Sequence, residues 1–187
     1  MLWSLATRGS LKMFNFGDGE VPAKRHVNLD GSLGGWVADS AEVADTAHVS
    51  ENARVFGRAW VSGNARVHGS AMVFGNAKVF GNARVFGYAR VFGVAWVSDN
   101  ARVSGNARVS GDAGVSGDAG VSGYAWVFGA ARVHGYAGVY GNARVHGSAM
   151  VYGGANVCGN ADVSGYTKIS EGIHTQPPEQ HKDHENV

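Results

Sequence analysis

From Val37 to Val163 every sixth residue is Val, and Ile169 closes the series, so an aliphatic residue recurs at 23 successive positions without an insertion. Ala stands two residues before nearly all of them, with Gly35 and Thr167 as the exceptions. Gly stands two residues after, replaced up to Gly165 only at Asp39, Asp45, Glu51 and Asp99. An α-helix needs apolar spacings near 3.6, whereas side chains alternate along a strand, so a small residue at i−2 and an aliphatic one at i share one face of a short strand. The pattern therefore predicts Ala and Val pointing inward and their neighbours outward. Gly, often followed by Asn or Asp as at Asn64, Asn82 and Asp118, supplies a pair that tolerates positive φ and turns the chain at a corner. Three such sides close a triangular coil of 18 residues, stacked on the next at the strand spacing of about 4.8 Å. The expected fold is all-β, a triangular parallel solenoid of about seven coils over residues 35–169.

The repeat has no counterpart at either end. Residues 1–34 read as an irregular lead-in that covers the open end of the coil, with turn chemistry at Gly17-Asp18-Gly19 and Asp30-Gly31-Ser32. Residues 170–187 have no period and few apolar residues, which reads as a disordered polar tail.

The unit Ala77-Lys78-Val79-Phe80-Gly81-Asn82 and its copies resemble the left-handed β-helix of the hexapeptide-repeat superfamily, whose motif is an aliphatic residue with a small one two places before it. The resemblance covers residues 35–169. It implies a left-handed single-stranded coil and a homotrimer. The Ala-x-Val-x-Gly-Asn form resembles hexapeptide proteins of bacteria and their phages that carry the label of transferases. Acyltransferases of the superfamily commonly have Gly directly after the aliphatic residue; here Phe, Ser, His or Tyr stands there.

Composition narrows the classes. The chain is 44% hydrophobic and contains no stretch long enough to span a membrane. The apolar start at Met1–Ala6 is too short for a secretory core, and the single Cys158, at an outward repeat position, suits a reducing compartment, so the expected location is cytoplasmic. The net charge of +1 conceals an asymmetry: residues 53–168 hold 11 basic and four acidic side chains, while both ends are acidic.

Outward residues 18 apart share a face. On the first face Phe56, Phe74, Phe92 and Phe128 form a column beside Met72 and Trp126, an apolar stripe expected to be buried in a trimer. The second face mixes Trp60, Lys78, Phe80, Trp96, Arg132, His134, Met150 and Tyr152. On the third, Arg66, Arg84 and Arg102 stack below His48, with His68 and Phe86 alongside and Tyr88 at a corner. Guanidinium groups about 5 Å apart repel by about 1 kcal/mol per pair in water. A phosphate-bearing small molecule or nucleotide would relieve that repulsion; the alternative is that the arginine stems simply cover exposed strand. Residues 110–123 carry almost no outward side chains larger than Ser, a smooth patch that fits either a close-approaching partner or drift within the repeat.

No catalytic residue, metal site or cofactor is assigned. His68, His134 and His146 point outward without a recognisable partner, and no loop interrupts the repeat to build an acceptor pocket. His174, His181 and His184 lie in the tail and read as solvated. The expected function is a non-catalytic homotrimer capturing an anionic ligand or macromolecular partner, with no role for membrane or sequence-specific nucleic acid; sequestering a host nucleotide signal, in a phage setting, is one such use. The alternative is an acyltransferase taking acyl-CoA at the subunit crevice.

Overall fold

A computed structural model describes residues 11–175, all of them in strands, turns and extended connections. Each hexad makes one two-residue strand, such as Arg54–Val55 or Met72–Val73. These strands fall into three parallel sheets, and the partner of each residue is the one 18 further on: Arg54 lies beside Met72, and Val55 beside Val73. With eight solenoid strands to a sheet the coil makes about eight turns, one more than the repeat alone suggests. Ala and Val fill the tube from Ala47 to Val163 and are essentially inaccessible. The outward residue of each strand donates its N–H to an inward residue of the next turn, as Arg54 does to the Ala71 carbonyl at 3.0 Å, and corners bond as well, Arg58 to the Gly75 carbonyl at 2.7 Å.

The corners are where Gly is required. Gly75 has φ of +73°, and a Cβ built on it would sit 3.0 Å from the carbonyl oxygen of Gly93 in the turn below. Left-handed backbone and close corner-to-corner stacking thus exclude a side chain for two independent reasons. Asp99 is the one non-glycine residue with positive φ among the described residues, and its carboxylate accepts hydrogen bonds from the Gly117 amide at 3.0 Å and the Ser98 hydroxyl at 3.2 Å. Asp39, Asp45 and Glu51 hold the same repeat position in the first turn without adopting that conformation.

The described part of the lead-in is regular. Strand β1 (Lys12–Asn15) pairs antiparallel with β2 (Glu20–Val27), and β2 pairs antiparallel with β3 (Leu33–Ala38), the first strand of the solenoid. The turn-forming stretches therefore connect strands, and the hairpin turns one sheet into a ten-stranded one. Phe16, Ala23 and Ala38 form a small second core against Phe14, Trp36 and Phe56. Gly34 and Gly35 sit where a Cβ would run into the carbonyls of Val49 and Ala53.

A second device finishes the neighbouring sheet, whose first strand is His48–Val49. Among the described residues no earlier turn pairs with it, and the Asn28 carboxamide imitates one: Oδ1 accepts the Val49 N–H at 2.9 Å and Nδ2 donates to the Val49 carbonyl at 3.3 Å. His26 donates through Nε2 to the Ala47 carbonyl at 3.1 Å. Both side chains are buried, as capping groups on strand edges must be to replace water.

At the other end Ile173–His174 pairs with Asn156–Val157, a spacing of 17 that supplies the eighth strand of its sheet. The stretch 170–175, expected as the start of a disordered tail, is thus partly ordered: a corner shortened by Gly172, φ +79°, brings the chain back to the sheet. The remainder of the expected tail, with His181 and His184, lies outside the described residues.

Two outcomes follow from this construction. Gly75→Ala should lower the melting temperature more than Gly165→Ala, because Gly165 has nearly the same φ, +65°, but nothing within 4 Å of its virtual Cβ. The shared backbone cost is about 1–2 kcal/mol, or roughly 2–4 °C per kcal/mol, and equal shifts would remove corner stacking as a cause. Burial pushes the His26 pKa below the ordinary histidine value, His48 and Lys24 act in the same direction, and the Ala47 carbonyl and Asp45 oppose. The folded chain then binds this proton less readily than the unfolded one, so stability is complete above about pH 6.5 and is lost as pH falls below it. His26→Gln should flatten part of that slope in melts between pH 7.5 and 5; His68, shifted the same way, keeps the rest.

Candidate functional site

Parallel pairing brings Arg66, Arg84 and Arg102 side by side in three successive turns. Their amides are consumed in the ladder, Arg84 donating to the Ala101 carbonyl at 2.9 Å, and their side chains are exposed. Among the described residues the only ion pairs are Arg25 with Glu51 and His146 with Asp162, so none of the three guanidinium groups meets a carboxylate there. The adjoining corner behaves differently. Asn64, Asn82, Asn100 and Asp118 pass hydrogen bonds down the turns at 3.4, 3.3 and 3.1 Å, ending on the Asp118 carboxylate. Polar side chains on that corner satisfy one another, while the strip beside them is left with unmatched positive charge. Below Arg102 the strip ends at Gly120, which has nothing within 4 Å of its virtual Cβ, so the arginines open onto bare strand.

The other residues expected at this site are only partly gathered. His68 bonds through Nδ1 to the Ser50 hydroxyl at 2.8 Å and stacks on His48 at 5.0 Å. Burial first, then the charges of His48, Arg66 and Arg84, lower its pKa, which makes it a neutral group beside the strip near pH 7. Phe86 stands 37% exposed on the same sheet. Tyr88 does not join them: it lies beyond the corner and lines a groove with Met72 and Arg90.

The first face is a ring stack. Phe56 and Phe74 lie parallel with centroids 4.8 Å apart, Phe74 and Phe92 follow at 4.9 Å, and Phe16 of the lead-in extends the stack at 4.7 Å. At Ser110, where the column lacks a ring, Trp126 donates its indole N–H to the hydroxyl at 2.9 Å and packs on Phe128 at 4.3 Å. Phe56, Phe74, Phe92, Phe128, Met72 and Trp126 are thus half-buried within one chain, the rings among them already in contact with neighbouring rings.

Two expectations are corrected here. His146 has a partner, since its Nε2 lies 2.7 Å from the Asp162 carboxylate, and its ring stacks on Phe128 at 4.7 Å. The signal in the sequence is a spacing of 16, one turn less two, which places the pair diagonally on one face. The smooth patch is also filled in part: the Trp96 indole folds into the space a Cβ on Gly114 would occupy, and Arg132 lies over that indole at 5.5 Å. Cys158, outward by register, is buried, and its thiol, close to Tyr140, raises the pKa of that phenol. His134 stacks on Tyr152 at 5.4 Å, and His174 donates to the Glu171 carbonyl at 2.9 Å. Among the described residues no three His, Cys, Asp or Glu side chains converge as a metal site.

Residues 95–111, 101–117 and 137–153 match the family model of the YdcK beta solenoid repeat. The first two matches are offset by six residues, one hexad, so the family's unit fits this chain in more than one frame. With the parallel three-sheet coil, these matches make the chain a β-helix repeat protein. No curated protein matches it.

Proposed function

We propose that the chain is a non-catalytic binding solenoid that captures an anionic ligand bearing phosphate groups, a nucleotide among them, on the strip Arg66–Arg84–Arg102. The observation that carries this reading is the set of three exposed guanidinium groups in consecutive turns with no carboxylate partner among the described residues. Rungs about 4.8 Å apart let two arginines grip neighbouring oxygens of one phosphate, with charge-assisted bonds worth about 1.5–3 kcal/mol each. Phe86 offers a ring to a base or sugar, and the bare strand at Gly120 leaves room beyond Arg102. Repulsion along the strip weakens when the ligand arrives, which favours the bound state further.

Assembly as a homotrimer belongs to the same reading. The resemblance to hexapeptide proteins and the part-exposed rings of Phe74 and Phe92 support burial of the first face. A second reading, an acyltransferase using acyl-CoA, draws on the His146–Asp162 pair at 2.7 Å, since a carboxylate orients an imidazole for general-base work.

Calorimetric titration with pyrophosphate, which lacks a base, tests the strip. Binding should disappear in Arg66→Gln/Arg84→Gln/Arg102→Gln while the circular dichroism of the coil is unchanged; retention in that variant, or no binding by the parent chain, would defeat the proposal. Turnover of acetyl-CoA with an amine acceptor, abolished by His146→Gln, would establish the enzyme instead. Phe74→Lys/Phe92→Lys should reduce the mass measured by light scattering from trimer to monomer, and an unchanged mass would reject that face.

A further inference from the structure

A groove of about 510 Å³ runs along the edge between the N-terminal hairpin and the first face, lined by Phe14, Arg25, Trp36, Arg54, Tyr88 and Arg90, with Met72 and Glu51 at its sides. It lies around the corner from the arginine strip and shares none of its arginines. One wall is built as a stack. Arg25 lies over the Trp36 ring at 5.6 Å, Trp36 stacks on Phe14 at 4.5 Å, and Arg54 lies over Phe14 at 5.8 Å. Arg25 is further held by donation from Nε to the Gly34 carbonyl at 2.5 Å, and Glu51 stands 3.8 Å from its Nη2. Trp36 is opposite Arg25 in the antiparallel register, so this stack is a product of strand pairing.

The charges do not balance. Glu51 offsets Arg25, whereas Arg54 and Arg90 have no carboxylate partner among the described residues. Tyr88, 67% exposed, and Met72 also line the groove. A groove of this size holds a small molecule, and cationic side chains sharing it with an unpacked aromatic ring suit a ligand with an anionic end and a flat end. From this we infer a second ligand site, selective for a nucleoside monophosphate: the phosphate meets Arg90, the base packs on Tyr88, and Arg54, two rungs from Arg90 across Met72, adds positive charge to the groove. The two positive side chains exceed what a neutral ring would call for, and the exposed tyrosine exceeds what free phosphate would.

Isothermal titration of the full chain with AMP, adenosine and inorganic phosphate tests the site. AMP should bind more tightly than either fragment, and Arg90→Gln and Tyr88→Ala should each weaken it, the former by about ten-fold or more. Both side chains are exposed, and melting curves identical to the parent would show that each variant folds. The variant lacking Arg66, Arg84 and Arg102 should keep its AMP affinity. No AMP binding, equal affinity for phosphate alone, or AMP affinity unmoved by Arg90→Gln would overturn the inference. Loss of AMP binding only in the triple variant would overturn it while leaving the arginine strip as the ligand site.

Discussion

The fold depends on a corner with no room for a side chain. From Gly57 to Gly159 the chain takes a left-handed conformation at each corner, and at the glycine corners the backbone of the next turn lies close enough to meet an added Cβ, as Gly75 and Gly93 illustrate. Close stacking there lets every turn sit squarely on the next, so that Val lands on Val through the whole tube. Val is branched at Cβ and fills the space in the centre of each side, and Ala fits nearer the corners. Because each rung carries its backbone hydrogen bonds to the next rung, stability grows by repetition of one local interface.

That arrangement separates structure from recognition. Inward positions are nearly invariant in type, and outward ones differ from turn to turn: a phenylalanine stack on one side, arginines on another, Trp96 lying across Gly114 on the third. Like side chains in successive turns interact in ways that depend on their chemistry. Rings attract, as Phe56, Phe74 and Phe92 do; carboxamides bond head to tail, as along Asn64, Asn82 and Asn100; guanidinium groups repel. Only the last kind of column gains from an outside partner, and this distinction directs attention to the arginines.

What was legible in the sequence is what repeats. The spacing of Val and Ala specified the tube, the 18-residue turn, and the alignment of Arg66, Arg84 and Arg102. Relations that occur once were hidden. Asn28 imitates a missing strand from a position outside the period, so no pattern announces it. His146 reaches Asp162 diagonally, and Trp96 leans into the next turn, because a long side chain selects its own direction once the backbone is placed. Tyr88, read at a corner of the arginine face, lines a groove with Arg90 and Met72. Residues 12–27 carry no period of six, and their buried positions Ala23 and His26 fall three apart across a bulge, so no repeat or alternation announces these strands.

The three sides of a turn are built from interchangeable hexads, and this sets how such a chain can change length. Gain or loss of 18 residues would leave every downstream column on its original side. Gain or loss of six would keep the interior equally well packed, yet rotate everything after it by one third of a revolution, delivering arginines to where phenylalanines had been. Slippage between near-identical repeats in the coding sequence would therefore reshuffle surfaces wholesale at little expense to folding. A tube of this kind can acquire or abandon a ligand in a single event that alters no contact in its core.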